Sequence, residues 1–390
     1  MVRYFRHVYD TFRKGDMVLL LLCVVTTAFG CLAVASATND VGSLRFVLMQ
    51  VVASIIGIGL YAIMSSVDAA YFAEKKWNMV AFNLILLSLL LVFGTDNGTG
   101  NKSWLDFKIL PFNIQPAEIC KITCILILAT VMASNQNKIS SVKSIVQLGF
   151  QVGLLAVVNL ILSHDMGVSL IFIFIAAGMA FAGGISIIWF LLGISGIVLV
   201  SPILWTKVLS NYQKLRIRIL FDPSLDAAGT GPRYHTMQSL RTLSGGGFNG
   251  QGLFNGHRTQ HSALYAQHTD YIFSAIGEEL GFLGCMLVMI LMIAIIARCI
   301  WVGCHSQDYM RRMICFGAAS ALIFQVTSNV GMCIGITPVI GLTLPFISYG
   351  GSSLVSLYAM LGLVSGVYAR PSPTSQERYI RPPYMTRTLL

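Results

Sequence analysis

The chain has 390 residues, of which 55% are apolar and only 11% charged, and its formal net charge is +10. Soluble domains carry about 25% charged residues, so this deficit excludes an ordinary water-soluble enzyme and makes lipid the solvent for most of the chain. Nine cysteines, an odd number without CxxC or Cys/His metal spacing, argue against a disulfide framework and a zinc site.

In chain order, apolar runs long enough to cross a bilayer are predicted near 17–37, 45–65, 78–94, 117–134, 146–163, 166–182, 185–206, 271–298, 313–335 and 345–368. They describe an all-α integral membrane protein of about ten transmembrane helices. The first run follows Arg13-Lys14 and ends in Ala35-Ser36-Ala37, the outline of a signal peptide, but its length of about 20 residues and the spans behind it favour a retained helix. Ser163-His164-Asp165 and Gly183-Gly184 leave almost no loop, which predicts tight helical hairpins.

With the N-terminus inside, the cytoplasmic side holds Arg3, Arg6, Arg13, Lys14, Lys75, Lys76, Lys138, Lys143, Arg298, Arg311, Arg312, Arg370, Arg378, Arg381 and Arg387. The opposite short loops hold only Arg45, Lys102 and Lys108, so both termini are expected in the cytoplasm. The membrane domain then covers 1–370, with a large extracytoplasmic loop at 207–269 and a cytoplasmic tail at 371–390. Long loops are exempt from the charge rule, and the positive balance implies no nucleic acid. No repeat of about 20 to 50 residues and no half-to-half similarity supports a transporter.

Few charges fall inside the spans, where they are costly and mark a site or a pathway. Glu118 and Lys121 stand at i, i+3 behind Pro116, and two readings fit: a neutralised pair at a helix start, or a direct substrate contact. Asp165 lies at an external hairpin, either as a turn-capping side chain or as a ligand for a cation or a phosphate-binding base. In the loop, Lys214, Arg216 and Arg218 alternate with apolar residues at lipid-headgroup level, as a solvated face or a phosphate contact. The run Ser244 to Gly252 is glycine-dense, has no strand before it, and taken alone is a flexible loop. Asp270 precedes the span that opens Ser274-Ala275-Ile276-Gly277-Glu278-Glu279, with both glutamates in its outer turns. By position it is a helix N-cap or a general base toward a lipid-linked substrate, and spacing does not choose between them.

Gly331 to Leu354 reads GMCIGITPVIGLTLPFISYGGSSL, which resembles the signature of the SEDS family of RodA, FtsW and SpoVE. Gln115 to Lys121, Asp165-Met166-Gly167, Tyr212 to Pro223, Tyr234 to Ser239, the glycine run and His268 to Gly281 resemble further family blocks in order, covering about residue 10 to 370. Tyr234-His235 and Gly252 to Gly256 look more like RodA than FtsW. Tyr265-Ala266-Gln267 departs from the family's Leu-Pro-Glu, and His164 and Val168 from its common Pro and Thr.

The resemblance implies a SEDS fold and a peptidoglycan glycosyltransferase that polymerises lipid II at the outer face of the bacterial cytoplasmic membrane for elongation and shape. Alternatives are a lipid-linked precursor flippase, or a division or sporulation polymerase of the FtsW or SpoVE type. By the same mapping Asp270 is the general base, and Glu118 and Lys121 are the pair of the central cavity. Asp165, Lys214 and Arg216 become candidates for diphosphate or metal handling, and Gln238, Ser239, His268, Ser348 and Ser352 further substrate-binding candidates. A divalent cation, Mg2+ or Mn2+, is expected without an organic cofactor, although no metal ligand set is evident. Expected partners are lipid II, undecaprenyl diphosphate and a class B penicillin-binding protein.

Overall fold

The computed structural model describes residues 12–68, 71–72, 74–95, 102–106, 113–208, 211–226, 229–231 and 233–370. The expected cytoplasmic tail at 371–390 lies outside the described residues, as do Arg3, Arg6 and Lys108.

Among the described residues ten apolar helices follow one another: α1 (Met17–Ala37), α2 (Ser43–Ser66), α3 (Lys76–Phe93), α4 (Pro116–Ser134), α5 (Val142–Ser163), α6 (Met166–Ala182), α7 (Ile187–Ile203), then α10 (Ile272–His305), α11 (Tyr309–Cys333) and α12 (Gly351–Ala369). Between α7 and α10 lie the more polar α8 (Asn211–Phe221) and α9 (Tyr234–Gly245). Among the described residues nine helices are long and apolar enough to cross a membrane, with α7 extended to Lys207, and α6 is a shorter apolar helix. A small hairpin, β1 (Gly94–Thr95) with β2 (Trp104–Leu105), pairs Gly94 with Leu105.

Local chemistry sets the helix ends. Asp16 accepts from Leu19 N at 3.0 Å and opens α1, Pro116 occupies the first turn of α4, and Asp308 accepts from Met310 N at 2.8 Å to open α11. The tight hairpins are present: His164 adopts a left-handed φ of 57° between α5 and α6, and Gly184 takes φ of 80° before α7.

The bundle has two distinct ends. At one, Arg298 of α10 forks onto Asp16 at 2.8 and 3.0 Å, Arg311 of α11 reaches Asp68 at 3.3 Å, and Arg370 donates to Ser66 O at 2.7 Å. The start of α1, the ends of α2 and α12 and the start of α11 therefore share one face. At the other end lie the starts of α4, α6, α10 and α12. Most of α4, α11 and α12 is buried as the centre, whereas none of the described side chains of α7 is.

Two expectations are corrected. The last span begins at Gly351, and 334–350 forms a loop: Leu342, Leu344, Phe346 and Ile347 are apolar because protein buries them. A side chain at Gly30 would meet Phe346 O at 2.6 Å, and one at Gly167 would meet Ile340 O at 2.9 Å, so both helices admit this loop only through glycine.

The glycine run is not a free loop either. It pairs with a break in α10 at Gly281 (φ 64°, ψ −159°), with Gly252 N donating to Glu279 O at 2.8 Å and Phe282 N to Gly247 O at 3.0 Å. Glu278 and Glu279 are buried beneath it. Glu278 accepts from Arg258 N at 2.9 Å and Thr259 N at 2.8 Å, and Glu279 from Gln260 Nε2 at 2.8 Å. Burial of these carboxylates is offset by these donors from the loop.

Candidate active site

The starts of four helices converge under loop 334–350. Gln115 N donates to Ser352 Oγ at 3.1 Å, which joins α4 to α12. One turn into α4, Lys121 Nζ lies 2.6 Å from Glu118 Oε2, with side chains only 2% and 5% exposed. Ser356, one turn beyond Ser352, donates to the same Glu118 oxygen at 2.7 Å. The pair is thus a charge-balanced strut between α4 and α12, and Lys121 has no open face toward a ligand.

Asp165 caps α6 through Val168 N at 3.1 Å, and its second oxygen faces Gln115 Nε2 at 3.5 Å. Burial raises its carboxyl above the ordinary value, Glu118 adds to this, and the backbone donors of α6 oppose it.

Asp270 departs from the N-cap expectation, because Tyr271 occupies that position without a side-chain cap. The Asp270 carboxylate is thereby released from structural duty, and among the described residues no hydrogen-bond partner is recorded for it. It keeps one face open but is otherwise surrounded by protein. Burial, and then the charge of Asp165, push its carboxyl up to about 6. A carboxylate with that affinity is half-titrated near pH 6, which suits a group that must take and return a proton.

Cations approach from the segment that holds α8 and α9. Arg216 of α8 donates to Val339 O at 3.3 Å and lines a cavity of about 110 Å³ with Arg233, Thr236, Gly335 and Thr337. His235 beside it is held below its ordinary value by burial and then by the Arg216 charge. Lys214 lines a separate hollow with Trp205, Asn211 and Arg218, so the structure does not bring it to Arg216. A larger groove of about 470 Å³ between α5, α6 and α7 is lined almost wholly by apolar side chains and lies away from these groups.

Several expected substrate contacts are engaged in holding the fold. Ser239 is fully buried, 2.6 Å from Ser274 Oγ and donating to Cys333 O at 2.9 Å, a rivet between α9, α10 and α11. Gln238 accepts from the Arg258 guanidinium. Ser348 donates to Thr269 O at 2.6 Å and accepts from Leu344 N at 2.8 Å. The His268 ring packs edge-on to Phe46 at 5.1 Å, and burial lowers its basicity. Gln267, where an acid was expected, donates to Ala37 O at 2.8 Å and Thr259 O at 2.9 Å, so its amide shapes the loop before the base in a way a carboxylate does not.

Gln50, Asn329 and Ser356 went unnoticed in the sequence. Each is a buried polar residue within an apolar helix, and that cost was the available signal. Among the described residues no three His, Cys, Asp or Glu side chains converge on one point.

A family model described as cell cycle protein, spanning FtsW, RodA and SpoVE, matches residues 16–372. The Escherichia coli peptidoglycan glycosyltransferase MrdB is 30% identical over 367 residues, 93% of this chain and 95% of that protein. A probable peptidoglycan glycosyltransferase FtsW of a Geobacter species is 31% identical over 370 residues, 91% of this chain and 97% of its own. Among solved structures, a chain from work on structural coordination of polymerization and crosslinking by a peptidoglycan synthase complex matches with a TM-score of 0.76 and 28% identity, covering 94% of this chain and 99% of that one. The rod shape determining protein RodA of Thermus thermophilus matches with a TM-score of 0.66 and 25% identity, covering 94% and 98%.

Proposed function

Because this chain belongs to the FtsW, RodA and SpoVE family, we propose that it is a peptidoglycan glycosyltransferase that polymerises lipid II, in the elongation role of RodA. It is a multi-pass membrane protein. The end of the bundle that carries Asp270 faces outward across the bacterial cytoplasmic membrane, and the end that carries Arg298, Arg311 and Arg370 faces the cytoplasm with both termini, in keeping with its basic short loops.

The reaction joins two lipid-anchored sugars. Asp270 takes the proton from the GlcNAc 4-hydroxyl of the acceptor as its oxygen attacks C1 of the donor MurNAc. The C1–O bond to phosphate breaks, undecaprenyl diphosphate leaves with the electron pair, and Arg216 and Arg233 offset the charge that develops on it. Asp165 keeps the Asp270 carboxyl basic, and the Glu118–Lys121 strut holds α4 against α12 beneath them. A class B penicillin-binding protein, as in the peptidoglycan synthase complex, crosslinks the emerging strand.

The observation that carries this reading is one carboxylate at the end of the bundle away from Arg298, Arg311 and Arg370, free of capping duty and pushed up to about 6. Purified protein incubated with lipid II, with and without the transpeptidase, is expected to give glycan polymer. Asp270→Ala is expected to lose at least about a hundredfold in rate, a general-base contribution. Transfer of labelled lipid across liposomes without polymer would favour the flippase instead.

A further inference from the structure

We infer that Asn329 is the positioning residue of this reaction, fixing from within α11 the backbone of the base and the loop that passes beside it. This rests on Asp270 as base.

Three consecutive carbonyls of the base segment are each held by a different donor. His268 O receives Tyr349 N at 2.8 Å, Thr269 O receives Ser348 Oγ at 2.6 Å, and Asp270 O receives Asn329 Nδ2 at 2.8 Å. The first two donors belong to the loop itself. The third comes from a buried helix, and the same nitrogen donates to Leu342 O at 2.7 Å. One side chain therefore ties the base and the loop to a single point on α11. Cys333, a turn further along, adds a weak contact from Sγ to Asp270 O at 3.8 Å.

The residue type follows from the task. Two carbonyl acceptors must be met by one group, and an amide nitrogen carries two N–H donors on a short side chain. Both neighbours accept, so the amide orientation is dictated by its partners. An ionised aspartate would point an acceptor at two acceptors, and leucine offers no donor. Asn329 is fully buried, so water does not compete for either bond.

The consequence reaches the reacting atoms through geometry. With no recorded partner of its own, the Asp270 carboxylate takes its direction from the backbone that Asn329 holds. A side chain at Gly341 would begin 3.7 Å from Asp270 Oδ2, so the loop runs directly past the carboxylate. A shift of about 1 Å between base and hydroxyl is enough to cost roughly a hundredfold in rate.

The test is lipid II polymerisation by the full-length protein, resolved into kcat and KM across pH, with folding of each variant followed by thermal melting. Asn329→Ala is expected to lower kcat by about 10 to 100-fold with KM within about twofold. It is also expected to move the acid limb of the pH profile downward, as the released carboxylate gains water. Asn329→Ser, which keeps one donor, is expected to fall between Asn329→Ala and wild type, and carries the test should Asn329→Ala not fold. A wild-type kcat and acid limb, or a loss confined to KM, overturns the positioning role. Wild-type protein that makes no polymer, or Asp270→Ala that makes as much as wild type, would instead remove the base assignment beneath it.

Discussion

Breaking the Glu118–Lys121 pair one partner at a time and then together separates support from substrate contact. At the observed 2.6 Å the attraction is about 6 kcal/mol for an effective dielectric of about 20, against desolvation of several kcal/mol per ion. The intact pair is therefore close to neutral overall, while a lone buried charge is not. Glu118→Gln keeps the contact with Ser356 but strands the ammonium, and is expected to cost about 3–5 kcal/mol. The double variant Glu118→Gln with Lys121→Met removes both charges and is expected within about 1 kcal/mol of wild type. Thermal melting in detergent measures the stabilities, and polymerisation of lipid II measures function. Because Lys121 is walled in, the double variant should retain at least about a tenth of wild-type kcat/KM. A double variant as stable as wild type but without polymer would refute the strut and put the pair in contact with substrate.

Other substitutions test the supports around the base. Gly281→Ala places a Cβ 2.3 Å from Gly250 N at a φ that only glycine takes readily, so it should cost at least about 1–3 kcal/mol and expose the 246–252 segment to proteolysis. Ser239→Ala removes the bond to Cys333 O and should cost about 1–3 kcal/mol while leaving KM unchanged; a raised KM with intact stability would restore it as a substrate contact.

Much of the architecture was legible because lipid imposes a minimum apolar length, and the helix starts at Met17, Pro116 and Met166 fall within a residue of the hydropathy reading. The same logic failed at 345–350. Phe346 and Ile347 are apolar because α1 and neighbouring helices cover them, and hydropathy does not separate burial by protein from burial by lipid. The state of Asp270 was not legible. Its freedom depends on Tyr271 taking the cap, and its basicity on burial and then on Asp165, about a hundred positions away in the chain. Ser239, Gln238 and Ser348 were assigned to substrate from their neighbourhood in the motifs, yet their hydroxyl or amide groups bond protein atoms in other segments. A polar side chain near a site and one that builds the site look alike until its partner is located.

The dependence of kcat/KM on pH reports the free enzyme and bears most directly on Asp270. Burial and Asp165 raise this acid above the ordinary carboxylate range, so the proton-accepting form prevails above about 6 and is lost as pH falls through it. Lipid II polymerisation should show an acid limb with a midpoint near 6, falling toward tenfold per pH unit below it, and Asp270→Ala should lack that limb. A wild-type limb near 4, or one near 6 that survives Asp270→Ala, would contradict the account.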